Sequence, residues 1–402
     1  MRTHKRQALF WAAFFLGLVG FVLHSQQLFI MAAAAALLWP VSALLGRGKL
    51  AGLSVSRSAP PMLQASESGT VTLQLSNRGR TRRLFVHVVD SLPEKAGSDY
   101  VRLTVPAVSP GEQLRLSYTL QTSLRGIYRL GPLTLEADDT LGLSTFVRHF
   151  EQLDEIVVCP TPLLLPSLWP ADAAGRERRK PRRIAGADGL DFLGIREYVP
   201  GDEPRRIHWA TTARMDELMT IQVAREEGLD GVIILDLQEN SHGGEGIHST
   251  LEQGVILAAS AARQVELGGG RVALVAVGAA DYSVPLAFGP GQYRHLLEAL
   301  ARVELTGTDN WADVVSEGIK QMPPRCPAIV ISPRSDDVAI TVARHLLARH
   351  LVVSWIVLQQ TDAANLSGVG QLQSLGCRVR VVNCSLPLQA QFGTGYRVHA
   401  GV

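Results

Sequence analysis

Between Ala187 and Gly228 the chain reads ADGLDFLGIREYVPGDEPRRIHWATTARMDELMTIQVAREEG, and strongly polar side chains are densest there. Arg196, Glu197, Asp202, Arg205, Arg206, Arg214, Glu226 and Glu227 share the stretch with Tyr198, His208 and Trp209. Guanidiniums beside carboxylates suit bidentate pairing that lysine would not reproduce. Pro200-Gly201-Asp202 reads as a turn, with Ile195, Tyr198, Ile207 and Trp209 as apolar anchors on both sides. Three readings stand: a strap of ion pairs joining domains, a docking surface, or a catalytic centre. For the last, His208 has Asp202 near it in sequence but no serine or cysteine to activate. No G-x-S-x-G, H-E-x-x-H or G-x-x-x-x-G-K-[ST] occurs. Gly243-Gly244-Glu245-Gly246 precedes a helical pattern, but it lacks a lysine and sets a carboxylate against any phosphate.

The elements behind this stretch follow from hydrophobic period. From Gly231 strands and helices alternate. Gly231–Leu235, Arg271–Val277, Ala328–Ser332, Leu351–Leu358 and Arg378–Asn383 are apolar strands. Helical patterns cover Ser249–Leu267, Gln292–Val303, Trp311–Met322, Val338–Arg349 and Ala363–Leu375, and Asp281–Phe288 reads as a short excursion. Strands buried on both faces and alternating with helices predict a doubly wound parallel sheet, with Asp236 and Ser332 on the same rim. Ahead of it, Ala51 to about Phe150 alternates with period two, as in Thr70–Leu75, Leu84–Val89 and Leu114–Leu120. Short, evenly spaced strands predict an immunoglobulin-like β-sandwich, with Asn77-Arg78-Gly79-Arg80 as a hairpin turn. Glu155–Cys159 is one more strand. Pro160–Pro170 reads as a proline-punctuated linker, and Arg176, Arg178, Arg179, Lys180, Arg182 and Arg183 as a solvated basic run that anionic lipid headgroups would also suit.

The string F-L-G-I-R-E-Y-x-P-G-D-x-x-R-x-I-x-W-x-x-x-A-R resembles the signature of the domain of unknown function 58 family. The matching positions are Arg196, Glu197, Tyr198, Gly201, Asp202, Arg205, Ile207, Trp209, Ala213 and Arg214. Arg125–Pro132 and Asp138–Leu143 resemble two further pieces of that family. Ala210 departs from it, where lysine often follows the tryptophan, as does Thr140 in the second piece. The resemblance implies a membrane anchor, an all-β segment, this signature and a von Willebrand factor A-like domain, encoded beside a MoxR-type AAA+ ATPase. In von Willebrand factor A domains the first strand ends in D-x-S-x-S, which holds a divalent cation. Here Asp236-Leu237-Gln238-Glu239-Asn240-Ser241 replaces both serines with Gln238 and Asn240. Thr306 or Thr308 would stand for the separate threonine, and Ser332-Pro333 offers no aspartate before Asp336 and Asp337. Mg²⁺ needs near-octahedral oxygen ligation, so the rim reads as a degenerate metal site and no cofactor is expected. Without a metal, Asp236 would cap a neighbouring loop or helix.

At 402 residues, 46% hydrophobic and 19% charged, the chain has material for two domains. A net charge of +2 gives no field for nucleic acid, and the basic run lacks aromatic interleaving, so no nucleic-acid partner is expected. Cys159, Cys326, Cys377 and Cys384 have no metal or disulfide spacing and read as scattered buried thiols. Leu9–Leu23 and Leu28–Leu45 are apolar runs near the lower limit for crossing a hydrocarbon core. Arg2, His4, Lys5 and Arg6 precede them and Arg47 and Lys49 follow, so both outer ends should face the cytoplasm. A cleaved signal peptide and a re-entrant hairpin are the competing readings of this start.

The division read from these patterns is a membrane anchor of two transmembrane helices (1–50), a β-sandwich (51–160), a proline/arginine-rich linker (161–186), the signature segment (187–228), the von Willebrand factor A-like α/β domain (229–390) and a C-terminal tail (391–402). The expected protein is a multi-pass component of a bacterial plasma membrane with cytoplasmic soluble domains. Its expected role is a non-enzymatic scaffold working with a MoxR-type AAA+ ATPase. The alternatives are a metal-assisted hydrolase using the Asp236 rim and a cell-envelope adhesion factor.

Overall fold

The computed structural model describes residues 2–139, 143–170, 191–199, 204, 207–224, 229–276, 278, 280–305, 311–360 and 367–392. The chain forms two compact units, Met1–Cys159 and Pro160–Val402.

The first unit opens with two helices, α1 (Arg2–Val22) and α2 (Gln26–Gly46). Residues 26–44 of α2 are long and apolar enough to cross a membrane and 11% buried; α1 contributes a shorter apolar stretch, residues 7–22. The β-part follows as β1 (Leu53–Ser58), β2 (Met62–Gln64), β3 (Ser68–Asn77), β4 (Arg83–Ser91), β5 (Tyr100–Val108), β6 (Gln113–Gln121), β7 (Gly126–Leu130), β8 (Leu133–Asp138), β9 (Thr145–Phe150) and β10 (Asp154–Cys159). The sheets are β1-β3-β6, β5-β4-β8-β9 and the small β2-β10-β7. All three supply one core, including Leu73, Leu75, Val88, Leu135, Tyr128 and Ile156. Alternating burial along β3 shows why period two was readable there.

The predicted 77–80 hairpin is corrected. β3 pairs with β1 and β6 while β4 pairs with β5 and β8, so the turn carries the chain from one sheet to another. The reason is Asn77, which is fully buried. Its side chain donates to the carbonyls of Thr81 and Val108 and accepts from Gly79 N–H, holding a wide loop instead of a tight reversal.

The sandwich also buries a charge. Arg57 donates to Asp90 (2.5 Å), Asp154 (2.7 Å) and the carbonyls of Leu130 and Gln152, and Tyr118 donates to Asp90 at 2.7 Å. Burial pushes the Asp90 carboxyl up, with Tyr118 and Arg57 pulling the other way.

In the second unit, β11 (Asp191–Glu197) and β12 (Met219–Ala224) form a two-stranded antiparallel sheet with α3 (Trp209–Met215) between them. The main sheet comprises β13 (Gly231–Leu235), β14 (Arg271–Val275), β15 (Val284–Phe288), β16 (Pro327–Ser332), β17 (Val352–Gln359) and β18 (Arg378–Asn383), in the order β15-β14-β13-β16-β17-β18. The helices are α4 (Thr250–Leu267), α5 (Pro290–Arg302), α6 (Trp311–Gly318), α7 (Asp337–Ala348), α8 (Ser367–Ser374) and α9 (Leu388–Phe392). Val232, Ile234, Val330 and Trp355 face a core shared with α6, α7 and Leu372 of α8. α4 lies on the opposite face, where a Cβ on Gly254 would meet Leu235, Ile331 and Leu358 at 3.1–3.4 Å.

Three expectations change here. The sheet is mixed, because the 281–288 excursion contains β15, which returns antiparallel along β14. Pro160–Pro170 packs on α4 and does not behave as a free linker. Trp169 is 5% exposed, donates to the Ala261 carbonyl and lies where a Cβ on Gly231 would be only 2.4 Å from its ring. Gln264 accepts from Leu168 N–H and donates to the carbonyls of Leu165 and Pro166, supplying partners in a segment where four prolines interrupt regular backbone pairing. The predicted 391–402 tail begins inside α9, whose Phe392 is buried under the Arg380 guanidinium. The predicted basic run 176–183, Thr306 and Thr308 lie outside the described residues.

Candidate functional site

In this strand order the chain reverses direction across the sheet between β13 and β16. Clefts at the carboxyl ends of strands, at such a switch point, are where doubly wound sheets place ligands. Asp236 follows β13 and Ser332 ends β16, and the two meet there. Ser332 Oγ donates to Asp236 Oδ2 at 2.7 Å, Ser241 Oγ to the same oxygen at 3.2 Å, and Gln238 N–H to Oδ1 at 3.0 Å. Asp236 N–H donates to the Ile331 carbonyl, stitching the two strands just past their ladder. The carboxylate is fully buried.

A buried carboxylate needs a counter-charge. It comes from Arg334, whose Nε lies 3.6 Å from Asp236 Oδ2. The guanidinium also donates to Asn240 Oδ1 and Asp336 Oδ2, and Arg334 N–H donates to Ser332 Oγ. Asn240 thus serves arginine. Asp336 accepts from Ala339 N–H as the cap of α7. Gln238 is buried, with its Nε2 lacking a hydrogen-bond partner. Among the described residues no group of three or more His, Cys, Asp or Glu converges as a metal site would. What the rim residues build is a cation site supplied from within the chain.

His242 closes the loop behind Asp236. Its Nε2 donates to the Asp236 carbonyl at 2.8 Å and its Nδ1 meets the Thr250 hydroxyl at 2.9 Å. Burial holds this imidazole below the ordinary histidine range, opposed by Asp236 and reinforced by Arg334.

The signature residues lie elsewhere. Tyr198 N–H donates to the Leu218 carbonyl, His208 N–H to the Met219 carbonyl, and Ile207 bridges Thr220, so backbone bonds close the hairpin. His208 is the N-cap of α3, its Nδ1 accepting from Thr211 N–H, which is a structural use of that histidine. Thr212 Oγ1 accepts from Met219 N–H and fixes α3 against β12. Ile195, Arg196, Tyr198 and Ile207 are half-buried; Glu197 and Arg214 are exposed. Arg196 donates to the Glu197 carbonyl at 2.9 Å. Gly201, Asp202 and Arg205 lie outside the described residues, as do Arg206, Glu226 and Glu227.

Trp209 is not the anchor the sequence suggested. It sits first in a seven-residue helix and is 67% exposed. Val199, Met215 and Leu218, in the same segment, are exposed at 55%, 61% and 46%.

Sequence reading named Asp236, Gln238, Asn240 and Ser332 at the rim, and the structure gathers all four. It missed Arg334. The signal was available: a rim carboxylate without evident metal partners demands a cation, and Arg334 stands two residues beyond the neighbouring strand.

Fold and site define a class: a mixed, doubly wound α/β unit with a two-stranded signature hairpin, carried behind a β-sandwich and an apolar helical hairpin. Residues 194–379 match the family described as "Protein of unknown function DUF58". It is similar to the uncharacterized protein YeaD of Bacillus subtilis (strain 168), 22% identical over 259 residues. That alignment spans 61% of this chain and 61% of the Bacillus protein. Among solved structures, the CARDB domain of a Pyrococcus furiosus protein in complex with di-metal ions is 18% identical. It covers 26% of this chain and 91% of its own, with a TM-score of 0.21. A Listeria innocua β-glucosidase is 15% identical over 26% of this chain and 16% of its own, TM-score 0.17. Likenesses at this level say nothing about activity.

Proposed function

We propose that this protein is a non-enzymatic, membrane-anchored interaction protein whose signature hairpin docks a partner. The carrying observation is the exposed apolar group around Trp209. Tryptophan is enriched among residues that dominate binding energy, and here it projects from a scaffold fixed by backbone bonds. The resemblance to the domain of unknown function 58 family makes a MoxR-type AAA+ ATPase the partner of choice, acting with this chain in assembly or maturation of other proteins. The α/β unit is read as von Willebrand factor A-like, its rim held shut by Arg334 where related domains hold a metal. That arrangement argues against metal-assisted hydrolysis at Asp236. α1 and α2 are read as a membrane hairpin with both ends cytoplasmic, supported by the basic residues that flank it.

The test places a photo-crosslinking amino acid at position 209 of the full chain in its own host, with position 267, also exposed but on α4, as control. An adduct with a AAA+ ATPase from 209 alone supports the reading. No adduct, or the same adduct from both positions, sinks it.

A further inference from the structure

The end of the sandwich nearest α2 has a composition that neither the scaffold role nor the α/β rim uses. α2 runs into β1 with only residues 47–52 between, and Leu50 within that connection is already 7% exposed in the sandwich core. Three further contacts seat the sandwich on the helix. Ser42 Oγ donates to buried Asp139 at 2.6 Å, Trp39 Nε1 to Ser144 Oγ at 3.2 Å, and Lys49 Nζ to the Asp138 carbonyl at 2.8 Å. The Phe146 ring occupies the space a side chain on Gly46 would need.

The β3–β4 loop lies directly against this connection. Arg78 N–H donates to the Gly52 carbonyl at 2.8 Å and Arg83 Nη2 to the Ala51 carbonyl at 2.7 Å, and a Cβ on Gly52 would fall 2.7 Å from Gly79 N. The topology therefore gathers Arg47, Lys49, Arg78, Arg80, Arg82 and Arg83 at the end of the apolar helix. The acids at this end are Glu112, Asp138 and Asp139. Asp139 is spent on Ser42 and Leu143 N–H, Asp138 on Thr145, and Glu112 on Ser109 N–H. The turns at the opposite end carry Glu67, Glu94, Asp99 and Glu151 against Lys95 and Arg125. The charge is thus polarised along the sandwich, basic toward the helix.

Apolar side chains accompany the cations. Leu84 and Phe85, at the same end of β4, are 50% and 61% exposed. Phe85 holds φ at 51°, a left-handed conformation that strains a non-glycine residue, and its ring points outward. Exposed aromatic and basic side chains at the end of a membrane-length helix match the interfacial zone of a bilayer, where rings settle at headgroup depth and cations meet anionic lipid.

We infer that this end of the sandwich is a second membrane contact. Arg78, Arg80 and Arg82 bind anionic lipid headgroups, and Leu84 and Phe85 enter the interface beside them. The inference rests on the reading that α2 crosses a bilayer. Seating the sandwich on the leaflet fixes it at the membrane surface with no tether to swing on.

The test uses the full chain with single nitroxide labels, in vesicles of phosphatidylcholine alone or with phosphatidylglycerol. Burial pushes the thiols of Cys326 and Cys384 up to about 12 and of Cys377 to about 11, and Cys159 is buried, so native cysteines compete poorly for label. Labels go at Ile30→Cys in α2, Thr81→Cys in the basic loop and Leu153→Cys at the far end, all exposed positions. The expected result is a lipid-embedded label at 30, an interfacial label at 81 only with phosphatidylglycerol, and an aqueous label at 153. Arg80→Gln with Arg82→Gln should return the label at 81 to water. A lipid-embedded 30 with 81 as aqueous as 153 overturns the inference and leaves the anchor standing. Equal depth at 81 in both lipids overturns anion recognition. An aqueous label at 30 removes the anchor, and the inference with it.

Discussion

Replacing Arg334 by alanine should destabilise the α/β unit far more than an arginine 14% exposed would ordinarily suggest. Asp236 is fully buried and keeps only neutral donors once the guanidinium is gone: two hydroxyls and one backbone N–H. Unit charges about 4 Å apart attract by about 4 kcal/mol at an effective dielectric near 20. Removing one partner of a buried pair typically costs about 3–5 kcal/mol. The remaining Arg334 bonds, to exposed Asn240 and Asp336, add about 0–1 kcal/mol. For a unit of this size each kcal/mol moves the melting temperature by about 2–4 °C, so a fall of about 6–20 °C is expected. Asp236→Asn should cost less, about 1–2 kcal/mol, because the amide oxygen can still accept from the serines and Arg334 retains Asp336. The double variant should cost less than the sum of the two. Tryptophan fluorescence during urea unfolding is a suitable assay. Trp311 and Trp355 are buried in this unit with ring centroids 6.0 Å apart, and residues 51–159 contain no tryptophan. An Arg334→Ala variant as stable as the parent, or less affected than Asp236→Asn, would refute the internal-cation argument.

Three further outcomes are expected. Arg57→Ala strands Asp90 and should cost the sandwich about 3–5 kcal/mol, visible as a shifted circular-dichroism transition while tryptophan fluorescence of the α/β unit is unmoved. Trp209→Ala should change stability by no more than about 0.5 kcal/mol, as an exposed surface substitution does, yet abolish capture of the partner; a large loss of stability would return Trp209 to the role of anchor. His242 is held below its ordinary value of 6.5, so above that pH both folded and unfolded states are neutral and its contribution is complete. As pH falls below 6.5 the unfolded state takes up the proton first and stability drops until the folded histidine titrates; His242→Gln should flatten that part of the urea-midpoint profile.

Legibility differed by element for physical reasons. β3 and β13 were plain because burial there is periodic or continuous, and period survives in a single sequence. The β3–β4 connection was misread because hairpin and sheet-to-sheet crossing use the same turn residues. What separates them is the buried side chain of Asn77, and burial is a tertiary fact. β15 was passed over because Pro285 broke its apolar run, and an edge strand tolerates proline where a central one does not. Pro160–Pro170 looked like linker for its prolines, while its anchors were Trp169 and a glutamine ninety-five residues further on. At the site, Asp236 was legible as a residue in need of a partner. Its partner was not, because Arg334 reaches it only when β13 and β16 become neighbours.

An internal arginine at this rim behaves differently from a bound ion. A metal held by oxygen ligands exchanges with solvent, and its open position can admit a partner's carboxylate. A guanidinium cannot be diluted away or chelated, since its own backbone holds it two residues from Ser332, to which its N–H is bonded. The Asp236–Arg334 pair therefore works as a clasp at the point where the sheet's winding reverses, joining β13, β16 and the cap of α7. With the switch point committed to holding the fold together, the proposed docking role falls to other residues. The signature hairpin supports that proposal, with Trp209 and Met215 turned to solvent on a frame that His208 and Thr212 hold.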